Sequence, residues 1–218
     1  MEICVIVPSH IPCITRSKLL IRCLNSLINQ TIKIPIYLSI SFETELDKIL
    51  FEKLIYKTGL LNNKLLCVIY QDQPTSQFRH IEKVISNIKN TYNYVMFCDD
   101  DDTYEIGRVE NFVYSLMHGR CVTNENKIFV GAYEASVYDG DKNPIGFLHH
   151  SNRMHEYWSY CVNMEFIVNF INILKINNYD YAIDNKMCDV LFTTYLRSLD
   201  NSHIFCKLNE KLYNYNRD

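Results

Sequence analysis

Strand and helix alternate four times in the first hundred residues, and that rhythm constrains the fold more than anything else in the chain. Ile3–Val7 is a continuous β-branched run closed by Pro8, which predicts a buried strand. Ser17 can cap a helix carrying Leu19, Leu20, Cys23, Leu24, Leu27 and Ile28 at helical spacing, ended before Pro35. Ile36–Ser41 predicts a second strand, Thr44–Tyr56 a helix stopped by Thr58-Gly59, and Leu65–Tyr70 a third strand. Ile81, Val84, Ile85 and Ile88 mark a third helix, and Tyr94–Cys98 a fourth strand. Strands joined through helices must run parallel by right-handed crossovers, so the expectation is an open α/β sheet.

The second half is less regular. Val109–Met117, Val162–Leu174 and Asp189–Leu199 predict helices, and Ile128–Ala132 and Ala135–Tyr138 short strands. A chain of 218 residues that is 48% hydrophobic supports one sizeable core. It is read as one domain, with a ligand-binding half over 1–102, a second half over 103–205 and a polar tail over 206–218. The apolar fraction excludes a disordered chain. A net charge of −3 disfavours a nucleic-acid partner. No apolar run approaches the ~18 residues of a membrane span. Nine cysteines without a C-x-x-C pair, and no signal-peptide pattern at Met1, point to a reducing, cytoplasmic setting. Asn, Ile, Lys and Tyr, all with AT-rich codons, make up about a third of the chain, more than the usual share. That fits an AT-rich parasite, low-GC bacterium or large DNA virus, and for a virus the host cytoplasm.

Directly after the fourth strand come Asp99, Asp100, Asp101 and Asp102. In an open α/β sheet, ligands bind outside the carboxyl ends of strands. Two unit charges ~4 Å apart repel by about 1 kcal/mol even in water, and by more near protein. A hard cation, Mn²⁺ or Mg²⁺, removes that cost and is typically held by one or two carboxylates plus substrate phosphates. The alternative is a solvated acidic turn.

Val95–Thr103 fits the nucleophile motif of haloacid-dehalogenase-like phosphatases, with Asp99 and Asp101 as the working pair. It also resembles the strand-DxD motif of GT-A glycosyltransferases. The phosphatase motif usually opens its domain, and here about a hundred residues precede it. Other segments are similar to family-2-type glycosyltransferases. Val5-Ile6-Val7-Pro8-Ser9-His10 resembles their first strand and loop, and Leu24-Asn25-Ser26-Leu27-Ile28-Asn29-Gln30-Thr31 their first helix. Gln77-Phe78-Arg79-His80 falls where they open the third helix, and Cys188-Asp189-Val190-Leu191 resembles their late "E-D-x-x-L" helix. The resemblance extends to the short GT-A domains of large DNA viruses such as chloroviruses. Two departures stand out: Ser41-Phe42-Glu43 replaces the base-reading Asp turn after strand two, and Cys188 replaces the Glu. No G-x-G-x-x-G or nucleotidyltransferase loop is present.

The resemblance implies an open, mostly parallel sheet flanked by helices, with a smaller mixed sheet on the acceptor side. It implies a metal-dependent inverting transfer from a nucleotide-sugar, normally a UDP-sugar, to a glycan or glycoprotein. Pro8, Ser9, His10, Arg16, Ser41, Glu43, Gln77, Arg79, Asp99 and Asp100 would line the donor pocket. Asp101, with Asp99, would hold the metal. Asp189 would be the general base, with Asp184 next in line; the alternative for Asp189 is a helix-capping acid. Within the polar–aromatic stretch of His149, His150, Arg153, His155 and Trp158, the residues His150, His155 and Trp158 are the acceptor-side candidates, and Trp158 can instead anchor the loop. A third expectation, motivated by the two departures, is a degenerate GT-A domain that binds nucleotide or glycan without chemistry.

Overall fold

The structure is a computed structural model that describes residues 1–122, 128–134, 138–139, 156–199, 203–208 and 212–216. The elements follow the alternation: β1 (Ile3–Ile11), α1 (Ile14–Ile28), β2 (Ile36–Phe42), α2 (Glu45–Thr58), β3 (Leu66–Tyr70), α3 (Gln77–Ile88) and β4 (Tyr94–Phe97). After the acidic turn come β5 (Thr103–Tyr104), α4 (Arg108–Val122), β6 (Ile128–Glu134), β7 (Tyr138–Asp139) and β8 (Tyr160–Asn163). Then follow α5 (Met164–Ile176), α6 (Cys188–Ser198), β9 (His203–Leu208) and β10 (Tyr213–Tyr215).

The main sheet has seven strands in the order β3-β2-β1-β4-β8-β6-β9. β1 to β4 pair in parallel, β8 runs antiparallel to β4 and β6, and β9 is parallel to β6. A second sheet, β5-β10-β7, lies beyond the acidic turn. The expected open, mostly parallel sheet with a smaller mixed one is therefore present. Helices cover it through apolar stripes: Leu20, Cys23, Leu24 and Leu27 of α1 are buried, as are Ile81, Val84, Ile85 and Ile88 of α3. Each fully buried Leu or Ile contributes about 1.5–3 kcal/mol. Thr44 caps α2 by accepting from the Asp47 N–H at 3.2 Å, and Gly59 ends it at φ 71°. Among the described residues no helix is long and apolar enough to cross a membrane.

Four features depart from the sequence reading. α1 begins at Ile14, so Ser17 lies buried inside the helix and does not cap it. β1 runs through Pro8 to Ile11. The Val5 N–H bonds the Pro35 carbonyl on the β2 side, and the Cys98 N–H bonds the Ile6 carbonyl on the β4 side. By that alternation, position 8 faces β4, whose pairing with β1 ends at Ile6↔Phe97. Proline is tolerated there because the ladder needs no further donor. β8 was not anticipated, because its run flows straight into α5; Asn163 closes the strand and caps the helix, accepting from the Glu165 N–H at 2.9 Å. The expected tail over 206–218 contains half of β9, a main-sheet strand, and all of β10, where Tyr213 is buried. Part of the expected strand at 135–138 lies outside the described residues. Gly131, at φ 156°, lies where a Cβ would sit 1.9 Å from the Cys161 carbonyl oxygen, beside a register irregularity between β6 and β9.

Candidate functional site

The strand order reverses between β1 and β4: β1 leads to β2 on one side, and β4 lies on the other. The topological switch point of the sheet is therefore here, and the acidic turn sits on it. The last β1–β4 pair is Ile6↔Phe97, so Ser9 and Asp100 extend past the paired strands into the same gap.

All four aspartates are held by named donors. The Ser9 hydroxyl donates to Asp100 Oδ2 at 2.5 Å. Arg16, from the first turn of α1, pairs with both Asp100 and Asp101, reaching Asp101 Oδ2 at 2.6 Å. Arg22, a turn and a half later, donates to the Asp101 carbonyl at 2.7 Å. Gln77, at the start of α3, donates to Asp99 Oδ1 at 2.9 Å, and Tyr157 donates to the same oxygen. Asp102 is fully buried: Tyr213 donates to Oδ2 and the Asn216 N–H to Oδ1, each at 2.7 Å. Burial and the neighbouring Asp102 charge push the Asp99 carboxyl well up. Burial pushes Asp100 up against the pull of Arg16, and pushes Asp102 up to about 7. The cluster is thus short of positive charge, which a divalent cation would supply.

Among the described residues no three His, Cys, Asp or Glu side chains already converge as a metal cage. The donor set nevertheless fits a hard cation that takes one or two carboxylates and completes its shell with phosphate and water. Asp101 is partly exposed, and Asp99 receives both its donors on one oxygen.

One strand over, a polar chain runs to the β2 end. Gln71 donates to Ser39 Oγ at 3.0 Å, and Ser39 Oγ meets His80 Nδ1 at 2.8 Å. His80 Nε2 meets Ser41 Oγ at 3.1 Å, and Ser41 Oγ meets His10 Nδ1 at 2.9 Å. His10 Nε2 lies 3.1 Å from Glu43 Oε2. Burial, with the Lys83 and His10 charges, lowers His80 to about 3, so it is neutral. The Thr75 N–H donates to Ser41 Oγ at 3.2 Å. Glu43 can only accept, so the His10 Nε2–H donates to it. Beside Glu43 lies a cavity of about 340 Å³ lined by Phe42, Thr44, Lys48, Tyr70 and Gln71. At ~4.8 Å per strand, β2 is about 10 Å from β4.

On the other side, Asp189 stands in the first turn of α6, half-buried, with its Oδ1 accepting from the Val190 N–H at 2.7 Å. Burial raises its carboxyl. Glu156 is its neighbour: burial and the Asp189 charge raise Glu156 as well. Glu156 immediately precedes Tyr157, which donates to Asp99, and this connects the two carboxylate groups.

Two candidates are placed elsewhere than the sequence suggested. Arg79 is engaged by Glu82 at 2.7 Å, Asp184 at 2.6 Å and Asp180 at 3.3 Å, so its fork clamps the loop before α6 onto α3. Trp158 is only 2% exposed and stacks on Tyr213 at 4.0 Å and 7°. It is an internal anchor, with no open face for an acceptor. His149, His150, Arg153 and His155 lie outside the described residues. The α1 motif acts as a staple. Gln30 donates to the Ser26 and Glu105 carbonyls at 3.0 and 2.8 Å and accepts from the Val109 N–H at 3.1 Å. Ser26 Oγ accepts from the Tyr104 N–H at 3.1 Å. These bonds fix the segment that leaves the acidic turn. Tyr157, Tyr213, Asn216 and Glu156 were missed; Glu156 and Tyr157 lie inside the polar–aromatic stretch, and the other two carry no local signal.

No family model and no curated protein matches the chain. Solved structures do. The crystal structure of Staphylococcus aureus TarS superposes with a TM-score of 0.65 at 16% identity, over 100% of this chain and 37% of that one. TarS 1–349 in complex with UDP gives 0.58 at 15% identity, over 100% of this chain and 61% of that one. The mannosyltransferase PcManGT from Pyrobaculum calidifontis, in complex with GDP-Man and Mn²⁺, gives 0.59 at 11% identity, over 96% of this chain and 55% of that one. The chain thus spans between about a third and two thirds of the structures it matches. The superpositions, with the seven-stranded, mostly parallel sheet flanked by helices and its small companion sheet, establish that the chain has the GT-A fold.

Proposed function

We propose that the protein is a metal-dependent, inverting glycosyltransferase that moves a sugar from a nucleoside diphosphate donor, a UDP-sugar, to a hydroxyl of a glycan or glycoprotein. The observation that supports it is the position of the acidic turn, at the switch point of a GT-A sheet, with the His10–Glu43 pair at the β2 end. Glu43, oriented by the His10 N–H, would accept from an N–H of the base. Ser9 and Arg16 would hold Asp100 in place beside the ribose. Asp101, with Asp99, would hold Mn²⁺ or Mg²⁺, which when bound neutralises charge on the departing diphosphate. Asp189 would take the acceptor hydroxyl's proton as that oxygen attacks from the face opposite the diphosphate, which inverts the anomeric centre. The Val190 N–H keeps the carboxylate oriented.

A thermal-shift panel of nucleoside diphosphates with and without Mn²⁺ tests the reading. A UDP shift that needs metal and disappears in Asp101→Ala is the expected result. No shift with any nucleotide would reject it. One observation favours a second reading, a domain that binds without chemistry: the Arg16 guanidinium already spans Asp100 and Asp101. Binding of UDP-sugars with no hydrolysis or transfer to any acceptor would select that reading.

A further inference from the structure

Four consecutive carboxylates hold one shape only if something fixes the turn against their repulsion. The turn's own contribution is one weak bond, from the Asp102 N–H to the Asp99 carbonyl at 3.2 Å. Arg16 and Arg22 hold its middle from α1, and the tie between its two ends comes from more than a hundred residues further on. The Tyr213 hydroxyl accepts from the Asp99 N–H at 3.1 Å and donates to Asp102 Oδ2 at 2.7 Å. A single phenol therefore joins the first and last residues of the turn and closes a ring with the 99–102 backbone bond. Asp100 and Asp101 lie within that ring. The Asn216 N–H, three residues on, takes the other Asp102 oxygen at 2.7 Å.

The phenol is itself immobilised. Its ring stacks on Trp158 at 4.0 Å, and the buried Arg108 guanidinium lies 4.6 Å from its centroid. Arg108 is fixed in turn by donating to the Trp158 carbonyl at 2.7 Å and by lying 4.0 Å from the Tyr104 ring centroid. β10 pairs Tyr213 with Tyr104 on β5, the strand that leaves the turn.

We propose that Tyr213 is a positioning residue of the donor site: its hydroxyl sets the geometry of the acidic turn, and the segment 212–216 is a working part of that site. The proposal rests on reading the turn as the donor site. A phenylalanine keeps the ring, the stack and the cation–π contact and removes only the hydroxyl, so Tyr213→Phe separates positioning from anchoring. Hydrogen exchange of the 97–105 peptide in the ligand-free protein is expected to accelerate at least tenfold. Affinity for UDP with Mn²⁺ is expected to fall at least tenfold, with Trp158 emission unchanged. Exchange and affinity both within twofold of wild type would overturn the proposal, and so would faster exchange with unchanged affinity. If Tyr213→Phe does not fold, Asp102→Asn must give the same two changes, and its failure to do so is equally fatal. If both variants fold, the double variant must be no worse than the poorer single. Wild-type protein that binds no nucleotide would reject the glycosyltransferase reading instead, and the exchange result would then decide alone whether Tyr213 shapes the turn.

Discussion

Arg16 reaches from α1 to Asp101 Oδ2 at 2.6 Å and pairs with Asp100 in the same gesture, so a protein cation stands where the carboxylates converge. Asp100 is almost wholly buried while Arg16 is about one-third exposed. The pair is therefore lopsided: breaking it strands a buried carboxylate more than it frees an arginine.

Arg16→Ala is expected to destabilise the metal-free protein by about 2 kcal/mol, the cost of one buried group losing its charged partner. Mn²⁺ should restore part of that loss and should stabilise the variant more than wild type. Urea unfolding with and without Mn²⁺ checks both. A variant that Mn²⁺ stabilises less than wild type would show that the guanidinium assists the cation.

His80 makes the fold sensitive to acid. Its pKa falls from 6.5 to about 3 on folding, chiefly through burial. Below pH 6.5 the unfolded chain takes up a proton that the folded chain refuses, so stability is complete above 6.5 and declines as pH falls toward 3. The slope is at most about 1.4 kcal/mol per pH unit. His80→Gln keeps hydrogen-bonding capacity between Ser39 and Ser41 but cannot titrate. The stability gap between wild type and this variant should shrink from pH 7 to 4.5 in urea titrations.

Asp189→Asn is expected to lower kcat by roughly 10²–10⁴-fold while leaving donor affinity within a few fold. In wild type, activity should rise with pH through a value above the usual carboxylate range, because burial raises the Asp189 carboxyl and only its ionised form accepts the proton. Glu156→Gln should leave that inflection in place, because burial raises Asp189 while it is the Asp189 charge that raises Glu156. The pH–rate profile of the variant checks it.

Glu43→Ala should weaken nucleoside diphosphate binding about tenfold, the order expected of a charge-assisted hydrogen bond, and should narrow any preference between UDP and GDP. Calorimetric titration of both nucleotides into both proteins gives the answer. An unchanged ratio would place base reading elsewhere.

Gly131→Ala should fail to accumulate as folded protein, or should lose more than about 3 kcal/mol. The new methyl would meet the Cys161 backbone, which cannot step aside, at a φ that alanine avoids. Soluble yield and the urea midpoint report it.

How much was readable in advance depended on range. The strands and helices from Ile3 to Phe97 declare themselves because their burial is periodic and their breakers are local: Pro35, Gly59 and the Gln71–Pro74 turn. The acidic turn was legible for the same reason, as charge set against an apolar strand. β8 was not, because four residues leading into a helix have no period of their own. The α1 motif was visible as a pattern, but its task of stapling Glu105 and Val109 through Gln30 depends on which segment folds back beside it. Tyr213 was one tyrosine among sixteen, and nothing within ten residues hints that it would reach Asp99. Arg79 shows the converse: a guanidinium suited to phosphate was engaged by acids whose proximity only the chain path decides.

Proline at position 8 has one more effect. A secondary amide there would aim a hydrogen at the carbonyl of Cys98 and invite β4 to zip one rung further, drawing the aspartates in against the neighbouring strand. The ring nitrogen has no hydrogen to offer. The seam between the two central strands must therefore open at that point, and the mouth in which a ligand can lodge follows from the covalent chemistry of a single imino acid.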